Sequence, residues 1–413
     1  MLLWDLQSKA PNSREFRDGQ VSSTACQVED VILQSQFSVR RFAVFITLIG
    51  LCPNWIYGQN TKLLNVANDA ATALIERAKV ESASAWLGDG KMTFFHQADA
   101  DSVLVNYAAQ SKSMKRIAGS DVWTCQATLP DLEHGIMTYG FVATLNGKTI
   151  GGGGRRNWRG PKAPPPLLSS GSLSGSIERH AFESNSLGES RFVSVYIPGP
   201  KRKVVKVVYM ADGDSVEQYA HLVDPLIEAG DLPPFAIIGT HSGVYQGEAE
   251  LDRDDVRRNV RALEYVPSLD PVRFAQHESF FSDEVLKWAE QKYLFPTSIN
   301  SRVVFGFSNG GSFSATMGIR HPDIYGSVIA CALAGDRYDL SRGPKLTNEF
   351  FLVTGRWDTR FHTNVQYLHK VLTRAKVKCR IVVRAAEHDG IMWQEEFVSA
   401  LKAIFSAGDS RQR

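Results

Sequence analysis

Gly306-Phe307-Ser308-Asn309-Gly310 has the residue types and spacing of a nucleophile elbow. A serine hydroxyl is barely ionised at neutral pH, so it attacks a carbonyl only when a base stands beside it. An elbow meets the geometric half of that need by lifting the serine out of a tight turn between a strand and a helix. Small residues on both sides let the backbone pass close to its neighbours. The flanking sequence suits this turn. Val303-Val304-Phe305 reads as a buried strand, and Gly311–Arg320 reads as a helix. The pentapeptide alone is common by chance and could be a glycine-rich turn with a bystander serine. Its context gives it weight.

In folds that carry this elbow, the chain order is serine, acid, histidine. Four histidines follow Ser308: His321, His362, His369 and His388. His321 stands at a helix end before Pro322, and His362 and His369 fall on an outer helix. His388 follows the final strand, in Glu387-His388-Asp389-Gly390, which makes it the candidate general base. Asp358 lies just beyond the apolar strand Phe351–Thr354 and is the candidate acid that orients the imidazole. Asp336 and Asp339, after an earlier strand, are its rivals. Glu387 and Asp389 are adjacent to His388 and cannot easily reach around its ring. The oxyanion formed on attack needs two preorganised N–H donors. The backbone N–H of Asn309 is one candidate. The other is the N–H of Gly213 or Asp214, in the loop after Val204–Met210. Asp212, in the same loop, can also be read as a helix cap.

Composition excludes several other chemistries. Apolar residues make up 43% and charged residues 22%, as in a globular protein. The net charge of +2 creates no field that would favour nucleic acid or an anionic membrane. The short basic run Arg155, Arg156 and Arg159 reads as a solvated loop. None of the five cysteines shows metal-ligand spacing, and no disulfide framework is expected. Cys331 and Cys379 read as small apolar core residues. Asp252, Asp254 and Asp255 match no calcium loop, and no His-Glu-x-x-His exists. No metal or cofactor is expected, and the expected partner, given the elbow, is a small-molecule ester.

These residues must be positioned by a larger frame, and 413 residues suggest two or three domains. Residues 1–60 form a polar segment with a signal or anchor: Arg40-Arg41 precedes the apolar run Phe42–Cys52. That run is short for a membrane span and fits the core of a secretory signal. Export to the periplasm or the exterior is the expectation, without stable membrane insertion after processing; a cytoplasmic location is the alternative. Residues 61–155 read as a small β-sandwich with a leading helix over Asn65–Val80. Its strands are Lys91–His96, Ser102–Tyr107, Val122–Leu129 and Met137–Leu145, and Asn146-Gly147 is a hairpin signal. Gly151–Gly154 reads as a break, because four glycines cannot cheaply hold a regular element. Residues 156–178 form a linker rich in Pro, Ser and Gly. Trp158 and Arg159 are read as packing the boundary, or else as closing over the active site. From 179 to 408, continuous apolar strands alternate with amphipathic helices, which defines an α/β domain with a mainly parallel sheet. Arg380–Val383 is taken as one of its buried strands.

With these motifs the chain resembles the esterase family that includes enterochelin (enterobactin) esterase, over roughly residues 85–405. The resemblance rests on Val-Val-Tyr-Met-Ala-Asp212-Gly213, Arg261-Ala-Leu-Glu264-Tyr265, the elbow, His321-Pro-Asp-Ile-Tyr325-Gly, Asp358, and His388-Asp-Gly with Trp393. In the front half it rests on the strand pattern and Trp158-Arg159-Gly160-Pro161. It implies an α/β-hydrolase fold preceded by an immunoglobulin-like sandwich. It also implies a serine esterase with Ser308 as nucleophile, Asp358 as acid and His388 as base. Arg261 and Glu264 are read as a structural ion pair. Named relatives cleave trilactone siderophores, feruloyl esters or other acyl esters, and some transfer acyl groups. Acyl transfer to an alcohol is therefore one alternative. A non-catalytic surface or carbohydrate-binding protein is the alternative from another class.

Overall fold

A computed structural model describes residues 70–199, 202–243, 259–338, 340 and 343–409. From Leu74 onward they belong to one compact unit. The apolar run Phe42–Cys52, the candidate metal turn at Asp252–Asp255, and Asp339 lie outside the described residues.

A helix over residues 70–81 (α1) leads into two four-stranded antiparallel sheets. One holds β1 (Ala83–Gly88), β2 (Lys91–Gln97), β6 (Val122–Ala127) and β5 (Lys115–Arg116). The other holds β4 (Gln110–Ser113), β3 (Ser102–Tyr107), β7 (Ile136–Leu145) and β8 (Lys148–Arg159). Alternation along the strands sends Met92, Phe94 and Cys125 from one sheet, and Val103, Val105, Tyr139 and Phe141 from the other, into a shared core. Asn146 and Gly147 both take positive φ, 51° and 72°, as a two-residue hairpin turn requires.

The expected break at Gly151–Gly154 is not a break. These residues lie inside β8 and pair with Phe141, Val142 and Ala143 of β7. Register shifts at Tyr139/Phe141 and Ala143/Thr144 absorb the irregularity. The ladder to β7 supplies the order that glycine lacks on its own, and β8 is an edge strand where weak local propensity is tolerated.

The second half is built on an eight-stranded sheet. Its strands are β9 (Ser176–Ser184), β10 (Glu189–Ile197), β11 (Lys206–Ala211), β12 (Phe235–Thr240), β13 (Arg302–Phe307), β14 (Ser327–Cys331), β15 (Glu349–Gly355) and β16 (Cys379–Arg384). The spatial order is β9-β10-β12-β11-β13-β14-β15-β16. β10 runs antiparallel to both of its neighbours, and all other pairs are parallel. Successive residues of the central strands enter two cores. Val207, Tyr209 and Val304 face one, while Val208, Met210, Val303 and Phe305 face the other. The first core is covered by α3 (Val260–Tyr265), α4 (Pro271–Ser279), a π-turn at Phe280–Val285, α5 (Leu286–Tyr293), α6 (Asn309–Arg320) and α7 (Thr359–Arg374). The second is covered by α2 (Val216–Glu228) and α8 (Gly390–Asp409). Phe281, Val285 and Ala289 share one buried face through the π-turn, and Val365, Leu368 and Leu372 share another on α7.

β16 departs from its expectation. It is the sheet edge, with alternating partial exposure, and Val382 is 37% exposed. Cys379 is accordingly only half-buried, whereas Cys331 in β14 is fully buried. Cys125, Cys331 and Cys379 are free thiols.

The chain order reverses at β11, which has β12 on one side and β13 on the other. Ligand sites of open α/β sheets lie at such a switch point, outside the carboxyl ends of the strands. The loop after β11 and the turn after β13 are therefore neighbours.

Candidate functional site

Ser308 occupies the turn between β13 and α6, with φ 58° and ψ −125°. A non-glycine residue there costs about 1–3 kcal/mol and persists only when its surroundings fix it. Here they do. A Cβ on Gly306 would stand 2.0 Å from the Gly310 carbonyl oxygen, and one on Gly311 would stand 2.4 Å from that of Cys331. Only glycine permits this approach. The Ser308 N–H donates to the Cys331 carbonyl at 2.9 Å, tying the turn to β14. Asn309 is the first residue of α6, so its N–H has no partner within the helix.

Gly213 and Asp214 open a single 3-10 turn after β11, and their N–H groups likewise have no partner within it. A Cβ on Gly213 would stand 2.3 Å from the Gly239 carbonyl oxygen, so this loop too requires glycine, against β12. Asp212 does not cap the turn with its side chain. Its carboxylate is instead held by Arg261, with Nε to Oδ1 at 2.5 Å and Nη2 to Oδ2 at 2.7 Å. This fork is charge-assisted and bidentate, which a capping N–H cannot match. Arg261 Nη2 also reaches the Phe307 carbonyl at 3.3 Å, and the Asp212 N–H donates to the Tyr265 hydroxyl at 3.0 Å. Arg261 thus links the loop after β11 to the elbow.

The expected pairing of Arg261 with Glu264 does not occur. The two residues sit three apart on a single short helix, but each takes partners from other elements. Glu264, fully buried, takes Arg191 at 2.7 Å, Arg273 at 2.7 Å and the Gly243 N–H at 2.8 Å. Burial would disfavour its charge, but His277 at 3.7 Å, the Gly243 N–H and Arg191 hold its carboxyl below the usual range. No local signal in the sequence distinguishes these crossed partners.

His388 follows β16, and Asp358 precedes α7, where its side chain also accepts the Phe361 N–H at 3.4 Å. Asp358 Oδ2 lies 3.9 Å from His388 Nδ1, an ion-pair separation rather than a hydrogen bond. Both ring nitrogens of His388 are buried without a hydrogen-bond partner. The imidazole is held by aromatic contacts: Phe361 at 3.8 Å between centroids and Trp393 edge-on at 4.8 Å. Trp393 also stacks on Phe307 at 4.7 Å, so one indole joins the histidine loop to the elbow. Burial, followed by the positive charges of Arg261 and Arg360, holds the His388 pKa well below its ordinary value. Burial raises that of Asp358, against the helix N–H groups and Arg360. A neutral imidazole beside a partly buried carboxylate can accept a proton and be stabilised once charged.

His321 ends α6 and pairs with Glu278 at 2.9 Å, and His362 and His369 lie on α7. Asp336 accepts its neighbour's N–H from Arg337. Glu387 and Asp389 bind groups of the sandwich rather than His388. Trp158 packs on the sandwich core, and Arg159 pairs with Glu395 of α8. Among the described residues no cluster of His, Cys, Asp and Glu could hold a metal ion, and no helix is long and apolar enough to cross a membrane.

The sequence model of the family described as "Putative esterase" matches residues 184–405, more than half of the chain. The chain belongs to that esterase family. No curated protein sequence matches it. Among solved structures it is similar to the enterobactin esterase FES from Shigella flexneri in the presence of 2,3-di-hydroxy-N-benzoyl-serine. That match has 17% identity and a TM-score of 0.61, covering 80% of this chain and 97% of the other. It is also similar to ferric enterobactin esterase from Salmonella typhimurium, at 16% identity and a TM-score of 0.62, covering 80% and 98%. At these identities the likeness is one of fold, and it extends over both halves of the chain.

Proposed function

We propose that this protein is a serine esterase of the α/β-hydrolase fold, with an immunoglobulin-like sandwich in front. The catalytic domain begins with β9 at Ser176 rather than at 179, and the sandwich ends with β8 at Arg159 rather than at 155, so the connecting segment is 160–175 instead of 156–178. His388 takes the proton of Ser308 as its Oγ attacks an ester carbonyl. The N–H groups of Asn309 and of Gly213 or Asp214 stabilise the oxyanion, and Asp358 stabilises the imidazolium. His388 then protonates the leaving alcohol, and water resolves the acyl-enzyme by the same route.

The observation that carries this reading is the contact chain from elbow to acid. Phe307 stacks on Trp393, Trp393 meets His388, and His388 lies 3.9 Å from Asp358. Catalytic hydrogen bonds are often long without substrate and tighten on binding, which accommodates that distance. The fold likeness to enterobactin esterases makes catecholate trilactones the first substrates to test, beside p-nitrophenyl acyl esters and feruloyl sugars. The expected export puts an intracellular siderophore role second to a periplasmic or extracellular one.

Ser308→Ala should lower turnover by about 10⁴-fold or more and abolish labelling by a fluorophosphonate probe. Purified Ser308→Ala with wild-type turnover would refute the assignment.

A further inference from the structure

His388 is gripped by the sandwich through the residues on either side of it. Glu387 is buried, and its Oε2 accepts the Ala109 N–H at 2.7 Å, across 278 residues of sequence. Asp389 is buried as well, and its Oδ2 accepts the Thr138 hydroxyl of β7. Just upstream, the Ile136 N–H donates to the Ala385 carbonyl at 2.9 Å, and Ile136 bridges Ala386 in parallel. Strand β7 thus adds a short strand-like contact to the segment that carries the base. From below, Trp357 donates its main-chain N–H to the Ala386 carbonyl at 2.9 Å and its indole N–H to the Pro130 carbonyl at 2.9 Å. Trp357 and Ala385 lie in the same hydrophobic core as the sandwich strands.

The turn that presents Ala109 is itself strained. Ala108 and Ala109 take φ 46° and 58°, at a two-residue hairpin where asparagine and glycine are the usual residues. Left-handed alanine costs about 1–2 kcal/mol per residue. Such strain persists where surroundings impose it, and functional sites are where it gathers. Here the turn meets the residue before the catalytic base. The His388 ring has no hydrogen bond of its own. Its placement depends on the backbone that Glu387 and Asp389 anchor.

We infer that Thr138, the Ala108-Ala109 turn and their partners Glu387 and Asp389 are positioning elements for the general base, so that the sandwich is part of the catalytic machinery and not only an appended domain. The inference rests on the reading of His388 as the base. None of these residues touches the reacting atoms; each acts through the His388 backbone.

The test uses the full chain and a p-nitrophenyl ester. Thr138→Val keeps the shape and removes the hydroxyl donor, while Thr138→Ser keeps the donor. Thr138→Val should lower kcat by about 10-fold or more with KM within two-fold, since small misplacements of a catalytic group cost about that much. The rate of fluorophosphonate labelling should fall in parallel. Thr138→Ser should stay within two-fold of wild type. The inference is overturned if Thr138→Val keeps wild-type kcat, if only KM changes, if activity falls only with the folded fraction seen in thermal melts, or if Thr138→Ser fails to restore it. His388→Ala separates the two readings. If it retains turnover, the base assignment itself is wrong and the positioning role goes with it. If it is inactive while Thr138→Val is normal, the base stands and only the positioning role fails.

Discussion

The proposed nucleophile and its proposed base are held in place by opposite means. The Ser308 turn is fixed by what lies next to it: β13, α6 and the carbonyl of Cys331 on the neighbouring strand. Its tolerances are set by backbone atoms against glycine Cα atoms. The His388 segment is fixed from far away. Its flanking carboxylates reach the sandwich, its ring rests on Phe361 and Trp393, and Asp358 approaches it from a different strand end. A site assembled this way has one rigid partner and one whose position depends on how two layers of the molecule pack.

The rigid side should break most severely. Gly306→Ala would drive a Cβ to within 2.0 Å of the Gly310 carbonyl, which can be relieved only by moving the serine. Turnover should fall by about 100-fold or more, with a loss of stability of about 1–3 kcal/mol. Gly151→Ala is the matched control: nothing lies within 4 Å of the Cβ it would add, in a strand of the other domain. It should leave both quantities unchanged in an activity assay and a thermal melt. Equal losses at the two glycines would mean that Gly306 matters for chain flexibility rather than for close approach.

The same contrast explains what could be read from the sequence. The elbow was legible because its constraints span a few residues: an apolar strand, two glycines and a helix. The alternation of strands and helices, and the buried faces of α7 and the Phe281–Ala289 segment, were legible for the same reason. The glycine run at 151–154 was misread because its order comes from β7, not from itself. Cys379 and Val382 were misplaced because nothing in an apolar strand says that no further strand will cover it. Arg261 and Glu264 lie three residues apart and invited a local pair. Their partners are instead Asp212, Arg191 and Arg273, on other elements. Glu387, Asp389 and Thr138 left no signal, since a contact across 278 residues has no period and no motif.

The distal anchoring should also appear in stability. Burial, opposed by the Ala109 N–H, reinforced by Asp389 and opposed by Arg155, pushes the Glu387 carboxyl up to about 7, from an ordinary value of 4.5. The folded protein then keeps a proton that the unfolded chain has already lost. The stability that this group contributes must therefore fall as pH rises from about 4.5 through 7, by a few kcal/mol at most. Glu387→Gln can still accept the Ala109 N–H and does not titrate. Its Tm relative to wild type should rise between pH 4.5 and pH 8. A constant difference across that range would show that Glu387 is ionised throughout, and that the sandwich contact accommodates the charge.

The smallest effect concerns the acid limb of activity, which belongs to the distal side alone. A general base must be neutral in the free enzyme, so with His388 as the proposed base the limb of kcat/KM reports its pKa. Burial and the nearby guanidinium groups of Arg261 and Arg360 lower it, while the Asp358 carboxylate at 3.9 Å favours the charged ring. With the lowering influences dominant, activity should persist below pH 6.5, the ordinary histidine value. Arg360 is exposed, so Arg360→Gln should move the limb upward by only a few tenths of a pH unit, and added salt should shrink that difference. A wild-type limb at or above 6.5 would mean that Asp358 governs the ring, and that the pair closes to hydrogen-bond distance before substrate arrives.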